Sequence, residues 1–215
     1  DLIHRYLYLQ QFLKESRQFG SQRSTSEKKA VETALRNLAT NAGFSDTMRL
    51  TLRMETKLVE DNRELFEERQ VGEWTFQLLI DDQGTAEIRC CKDGKQLKSI
   101  PAKAKKDPYV VRLQDMKKQL TEQYRRTRRM FEQAMEDGAE FTLDEMRQLC
   151  ENPVVSPIVS KLIFKCEDAL GFFDGDKLHD LGGLTLEDRA DAKLIVAHPI
   201  HLFRSKRWHD FQKYL

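Results

Sequence analysis

Apolar residues recur at helical spacing through the first part of the chain and switch to strict alternation only after Gly72. Leu2, Tyr6, Leu9 and Leu13 lie three or four positions apart and predict a helix over 2–19. A polar break follows at 21–26, where Ser24-x-x-Glu27 has the form of a capping box. Val31, Ala34, Leu35, Leu38 and Ala42 then share one face of a second helix, and Gly43 suits its C-terminal cap. A third helix is expected from near Asp46 through Leu50, Met54, Leu58 and Leu65, with Gly72 ending the helical part.

From Trp74 the period changes. Trp74, Phe76, Leu78 and Ile80 fall on one face of a strand, and Thr75 and Gln77 on the other. Asp82-Gln-Gly84 and Asp93-Gly94 mark tight turns, the second a strong hairpin signal, so strands at 85–91 and 96–100 complete a three-stranded antiparallel meander. Three strands need cover on their apolar face, which requires a helix to pack there.

That helix is the longest element expected. Asp107 is its cap and Pro108 its first turn, Leu113, Met116, Leu120, Tyr124, Thr127 and Phe131 form its seam, and Gly138 closes it. Phe141-Thr-Leu-Asp-Glu145 carries a second capping box, with Phe141 and Met146 placed as a staple, and this short helix stops at Asn152-Pro153. Ser156-Pro157 starts a further helix covering Ile158, Val159, Leu162 and Ile163. Beyond Leu170 the pattern predicts a hairpin over 171–178, a strand at 193–197, and a last helix capped by Ser205. The fold class expected is therefore α+β and helix-dominated, with the meander on the long helix and a small C-terminal β element. It divides into a helical part, 1–70, and a continuous α+β part, 71–215.

Composition narrows the function classes. With 215 residues, 33% charged and net charge +1, the chain has no global pull toward nucleic acid or membrane, so any such pull is local. No apolar run approaches the ~18 residues of a membrane span. Cys90 and Cys91 are strand neighbours on opposite faces, and with Cys150 and Cys166 they form no C-x-x-C pair, which suits a reduced, cytoplasmic setting. The chain starts and stops inside expected helices, as a piece of a longer protein would.

Charge is concentrated in one place. Over 98–129 there are 11 Lys or Arg against three acids, densest at Arg125-Arg126 and Arg128-Arg129. Lys117, Lys118, Arg125, Arg126, Arg128 and Arg129 are the candidate contacts for an anion or a nucleic-acid backbone. The competing expectation is neutralisation, since 132–151 holds seven acids against Arg147 and 55–73 holds seven against three basic residues. His198-Pro-Ile-His201, with His209 and Asp210 nearby, lacks the further ligands a metal site needs, and His198 is expected to hydrogen-bond a loop. The acids Glu167, Asp168, Asp174, Asp176 and Asp180 lack calcium-loop spacing. Neither Cys150 nor Cys166 has a neighbouring His, and no G-x-S-x-G is present.

Several stretches, in order, carry a family resemblance: Asn41-Ala-Gly-Phe-Ser-Asp46 with Arg49-Leu50, Gly72-Glu-Trp-Thr-Phe-Gln-Leu78, and Asp93-Gly-Lys-Gln-Leu-Lys-Ser-Ile-Pro101. Lys106-Asp-Pro108, Phe141-Thr-Leu-Asp-Glu145, Asn152-Pro-Val-Val-Ser-Pro157 with Leu162-Ile-Phe164, and Ala197-His-Pro-Ile-His-Leu202 continue it. Through these the chain resembles the MolR-like bacterial family, domain of unknown function 4132. The resemblance implies a segment toward the C-terminal half of a large bacterial protein, with helical repeats upstream and, in some members, a WGR domain. This chain has no Trp-Gly-Arg motif, and the family brings no catalytic residues to carry over.

The function expected is a non-catalytic interaction or scaffold module without cofactor or metal. It would contact a protein partner, or the rest of its own chain, through the basic helix or an open sheet edge. The alternative is nucleic-acid binding by the helix over 108–137.

Overall fold

Capping and apolar periodicity account for the first of two units, Asp1–Asp61, in the computed structural model, which describes residues 1–183, 185 and 192–214. Helix α1, Leu2–Ser16, starts where the Asp1 carboxylate accepts from the Ile3 N–H at 3.2 Å. Helix α2, Ser21–Asn41, begins before the expected break is over. Gly20 is its N-cap, and the Ser24 N–H donates to the Gly20 carbonyl, so Ser24 lies inside the first turn and caps nothing. Helix α3, Thr47–Glu60, is capped by Asp46 as its position suggested, and stops short of Leu65. Ile3, Tyr6, Ala39, Leu50 and Met54 form the core of this unit, where the buried Tyr6 hydroxyl donates to the buried Glu55 carboxylate at 3.1 Å.

The second unit, Asn62–Leu215, opens on a 3₁₀ turn, Arg63–Phe66, which holds the buried Leu65. Four antiparallel strands follow in chain order: β1 Arg69–Val71, β2 Trp74–Ile80, β3 Ala86–Lys92 and β4 Lys95–Gln96. The meander thus gains a strand at its start. Gly72, at φ +60°, turns the chain back so that Val71 pairs with Trp74. The last expected strand is shorter than 96–100, although the Leu97 N–H still donates to the Cys90 carbonyl.

Helix α4, Pro108–Asp137, covers the apolar face of β2 and β3, where Phe76 and Leu78 are fully buried and Trp74 and Ile80 half-buried. Its limits are set as the sequence indicates: the Asp107 carboxylate accepts from Tyr109 N–H at 2.9 Å, and Gly138 closes it in the left-handed conformation. Its buried stripe includes Gln123 beside Leu120 and Thr127, while Tyr124 is only half-buried.

A five-stranded antiparallel sheet completes the unit: β5 Glu140–Thr142, β6 Ile163–Cys166, β7 Ala169–Phe173, β8 Leu178–His179 and β9 Lys193–Val196, in the order β5-β9-β6-β7-β8. The C-terminal β element is therefore the larger of the two sheets. Helix α5, Leu143–Cys150, carries the full Thr142–Glu145 capping box. Helix α6, Ser156–Val159, ends before Leu162 and Ile163, and Ile163 opens β6 instead. Ser205 closes helix α7, Pro199–Arg204, rather than starting helix α8, Trp208–Phe211, because Lys206 at φ +59° breaks the helical path between them.

Candidate functional site

Opposite its buried stripe, α4 presents a cationic face. With 3.6 residues per turn, Lys117 and Arg128 line up three turns apart, and Lys118, Arg125 and Arg129 form the adjacent row, spanning about 18 Å from 117 to 129. Lys118, Arg125, Arg128 and Arg129 are exposed, and Lys117 is half-buried. Arg126 lies at the margin of the face, half-buried and engaged with neighbouring groups. Lys118 pairs with Asp115 at 3.4 Å and Arg128 with Glu132 at 3.7 Å, both exposed pairs within the helix that tie the side chains down weakly. Lys117, Arg125 and Arg129 have no ion pair among the described residues.

Five of the acids expected to neutralise this face are committed elsewhere in the second unit. Glu64 pairs with Arg112 at 2.6 Å, Glu73 with Lys92 at 2.7 Å, Asp144 with Arg147 at 2.9 Å and Glu140 with Lys193. Glu145 is used in its capping box. From the 132–151 stretch, Glu132 reaches the face through Arg128.

The same helix forms one wall of a cleft of about 320 Å³. Lys117, Lys118 and Gln114 come from α4, Ile88 and Cys90 from β3, and Leu97, Lys98, Ser99 and Ile100 from the segment after β4. Lys98 and Ser99 were not among the sequence candidates. Their signal was present in the Asp93-Gly94 hairpin, whose register pairs Cys91 with Gln96 and so carries 97–100 back alongside β3.

Residues 94–215 match the family model described as Domain of unknown function (DUF4132), more than half of the chain. The chain belongs to this family. Residues 1–54 match a second model, Family of unknown function (DUF5724). No curated protein and no solved structure matches the chain.

The DUF4132 segment also holds the other sequence candidates, and it keeps them apart from the cleft chemistry. His198 is the N-cap of α7: its Nδ1 accepts from Ile200 N–H at 3.2 Å, while the His201 Nδ1 accepts from His198 N–H at 3.1 Å. Each imidazole therefore carries its proton on Nε2, which leaves no free lone pair for a metal. The His201 pKa is lowered, first by burial and then by Lys165, His198 and Arg204. Among the described residues no group of three or more His, Cys, Asp or Glu is arranged to hold a metal ion, and no helix is long and apolar enough to cross a membrane.

At the tip of β7 and β8 the DUF4132 segment brings Thr185, His179 and Asp174 into a line: hydroxyl to Nδ1 at 3.3 Å, Nε2 to carboxylate at 2.6 Å. Asp174 is held down at about 2, chiefly by the Lys177 N–H, with the Asp176 N–H and His179 adding to it. The spacing resembles an acid–base relay, but the carboxylate is occupied in folding the hairpin turn, and Arg147 ties that turn down through Asp176. Cys150, nearby, has its thiol pushed up to about 11 by burial and so stays protonated at neutral pH. The Cys90 thiol is likewise raised by burial.

Proposed function

We propose that this chain is a non-catalytic interaction module of a larger, cytoplasmic bacterial protein of MolR-like kind, and that its contact surface is the cationic face of α4. The partner that this surface suits best is nucleic acid. One observation carries the reading: Lys117, Lys118, Arg125, Arg128 and Arg129 share one face of a rigid helix, and among the described residues only Lys118 and Arg128 of these five form ion pairs, both weak and within the helix. Evenly placed cations on a straight scaffold meet successive backbone phosphates without reading sequence. Arg126 stands at the edge of that contact rather than in it.

Fluorescence anisotropy with labelled duplex and single-stranded oligonucleotides tests this. The expected result is binding at low salt that weakens steeply as salt rises, with little dependence on sequence. Reversing two charges, Arg125→Glu with Arg129→Glu, should lower affinity by about tenfold or more, since each lost phosphate contact reduces the counterion release that drives binding. Absence of binding at low salt would turn the assignment toward a protein partner or the remainder of the same polypeptide.

A further inference from the structure

The cleft beside the cationic face has a chemistry of its own. Its lining brings three lysines together from two separate segments, Lys98 from the chain after β4 and Lys117 and Lys118 from α4, and includes no Asp or Glu. Lys98 and Lys117 have no acid partner among the described residues, and Lys118 has only exposed Asp115 at 3.4 Å. Ser99 and Gln114 add neutral donors at the same wall, while Ile88, Leu97 and Ile100 make the remainder apolar. Three ammonium groups without a carboxylate among them favour a ligand with concentrated negative charge. A phosphomonoester supplies close to two charges and three acceptor oxygens on one atom. The volume, about 320 Å³, fits one small ligand and excludes a duplex.

We propose that this cleft binds a phosphomonoester, with Lys98, Lys117 and Lys118 taking the phosphate and the Ile88, Leu97 and Ile100 side receiving a flat or apolar body. The site goes beyond the helix-face reading, because it requires Lys98, which lies off α4, and takes a single small group. Cys90 also lines the cleft, its thiol kept in the neutral form by burial. The phosphate has two possible sources, a free nucleotide or the 5′ end of a strand lying along α4, since Lys117 and Lys118 also begin the cationic face.

The test is an NMR titration of the ¹⁵N-labelled 215-residue chain with adenosine 5′-monophosphate and, separately, with adenosine. The nucleotide should shift the amides over 97–100 and 114–118, and adenosine should leave them in place. Lys98→Gln should weaken nucleotide binding by about tenfold, the loss of one charge-assisted contact, and Lys98→Arg should retain it. Equal shifts with adenosine, shifts scattered over all exposed lysines, or an unchanged affinity in Lys98→Gln would overturn the proposal. Anisotropy with 5′-phosphorylated and 5′-hydroxyl oligonucleotides separates the sources: tighter binding of the phosphorylated strand assigns the cleft to a strand end, and equal binding assigns it to the free nucleotide. Failure of the nucleotide with oligonucleotide binding intact removes the cleft alone. The converse removes the helix-face reading alone.

Discussion

The two sheets of the second unit are both antiparallel, yet they are assembled by different means. In the four-stranded sheet every strand pairs with its neighbour in sequence, and tight turns set the register. The Asp81 carboxylate accepts from the Gln83 and Thr85 N–H groups at 2.8 Å each, and Asp93 and Gly94 both take positive φ, as the twist of a two-residue hairpin requires. In the five-stranded sheet β9 inserts between β5 and β6, so that Glu140 and Lys193, 53 positions apart, pair across strands. Closing such a loop has an entropic cost that no turn offsets. What offsets it is burial of Phe141, Phe164, Leu194 and Val196. Local turn chemistry builds one sheet, and a shared core builds the other.

The largest test of this contrast is Gly171→Ala in β7. A Cβ there would lie 2.1 Å from the His179 carbonyl oxygen, so β8 must move away. Chemical denaturation should show a loss of about 3 kcal/mol, the upper range for overpacking. Amide exchange should place the loss in β6, β7, β8 and β9; a loss shared equally by β2 and β3 would mean that the sheets melt as one. A smaller effect is expected from Gly94→Ala, about 1 kcal/mol, because the new side chain must accept φ +73°. Exchange should quicken locally around β3 and β4, and a global loss as large as that of Gly171→Ala would contradict a turn-by-turn assembly.

The smallest expected effect is one of pH. The His201 pKa is lowered in the folded chain, so the unfolded chain takes up the proton first as pH falls. Stability from this group is complete above its ordinary value of 6.5 and declines as pH drops from there toward the folded value. Protonation places a hydrogen on the Nδ1 that accepts from His198 N–H, opening the cap of α7. Thermal melts at pH 7.5 and pH 5 should differ less in His201→Gln than in the unaltered chain.

Legibility followed the same division. The limits of α4 were readable because Asp107, Pro108 and Gly138 act within a few residues of themselves, and the Thr142–Glu145 box for the same reason. Ser24 misled because a capping pattern sits inside a helix whenever the preceding turn is also helical, as the Ser24-to-Gly20 hydrogen bond makes it here. Gly72 read as a helix stop and proved a strand turn, since one positive-φ residue serves both. The six candidate cations were visible as charge, and five occupy one face. That Lys98 and Ser99 join Lys117 and Lys118 around a cleft depends on how β3 and the segment after β4 lie against α4.

By itself the sequence determined the helix-dominated α+β class, the hairpin strands, the caps of the long helix and the one-sided placement of its cations, because each follows from residues within a few turns or strand positions of one another. The tertiary structure alone decided that β9 joins β5 to β6, that acids such as Glu64, Glu73 and Glu140 find partners away from the cationic face, and that three lysines converge on one cleft. Those outcomes rest on contacts between segments tens of residues apart, where packing and charge pairing across the fold set which groups meet.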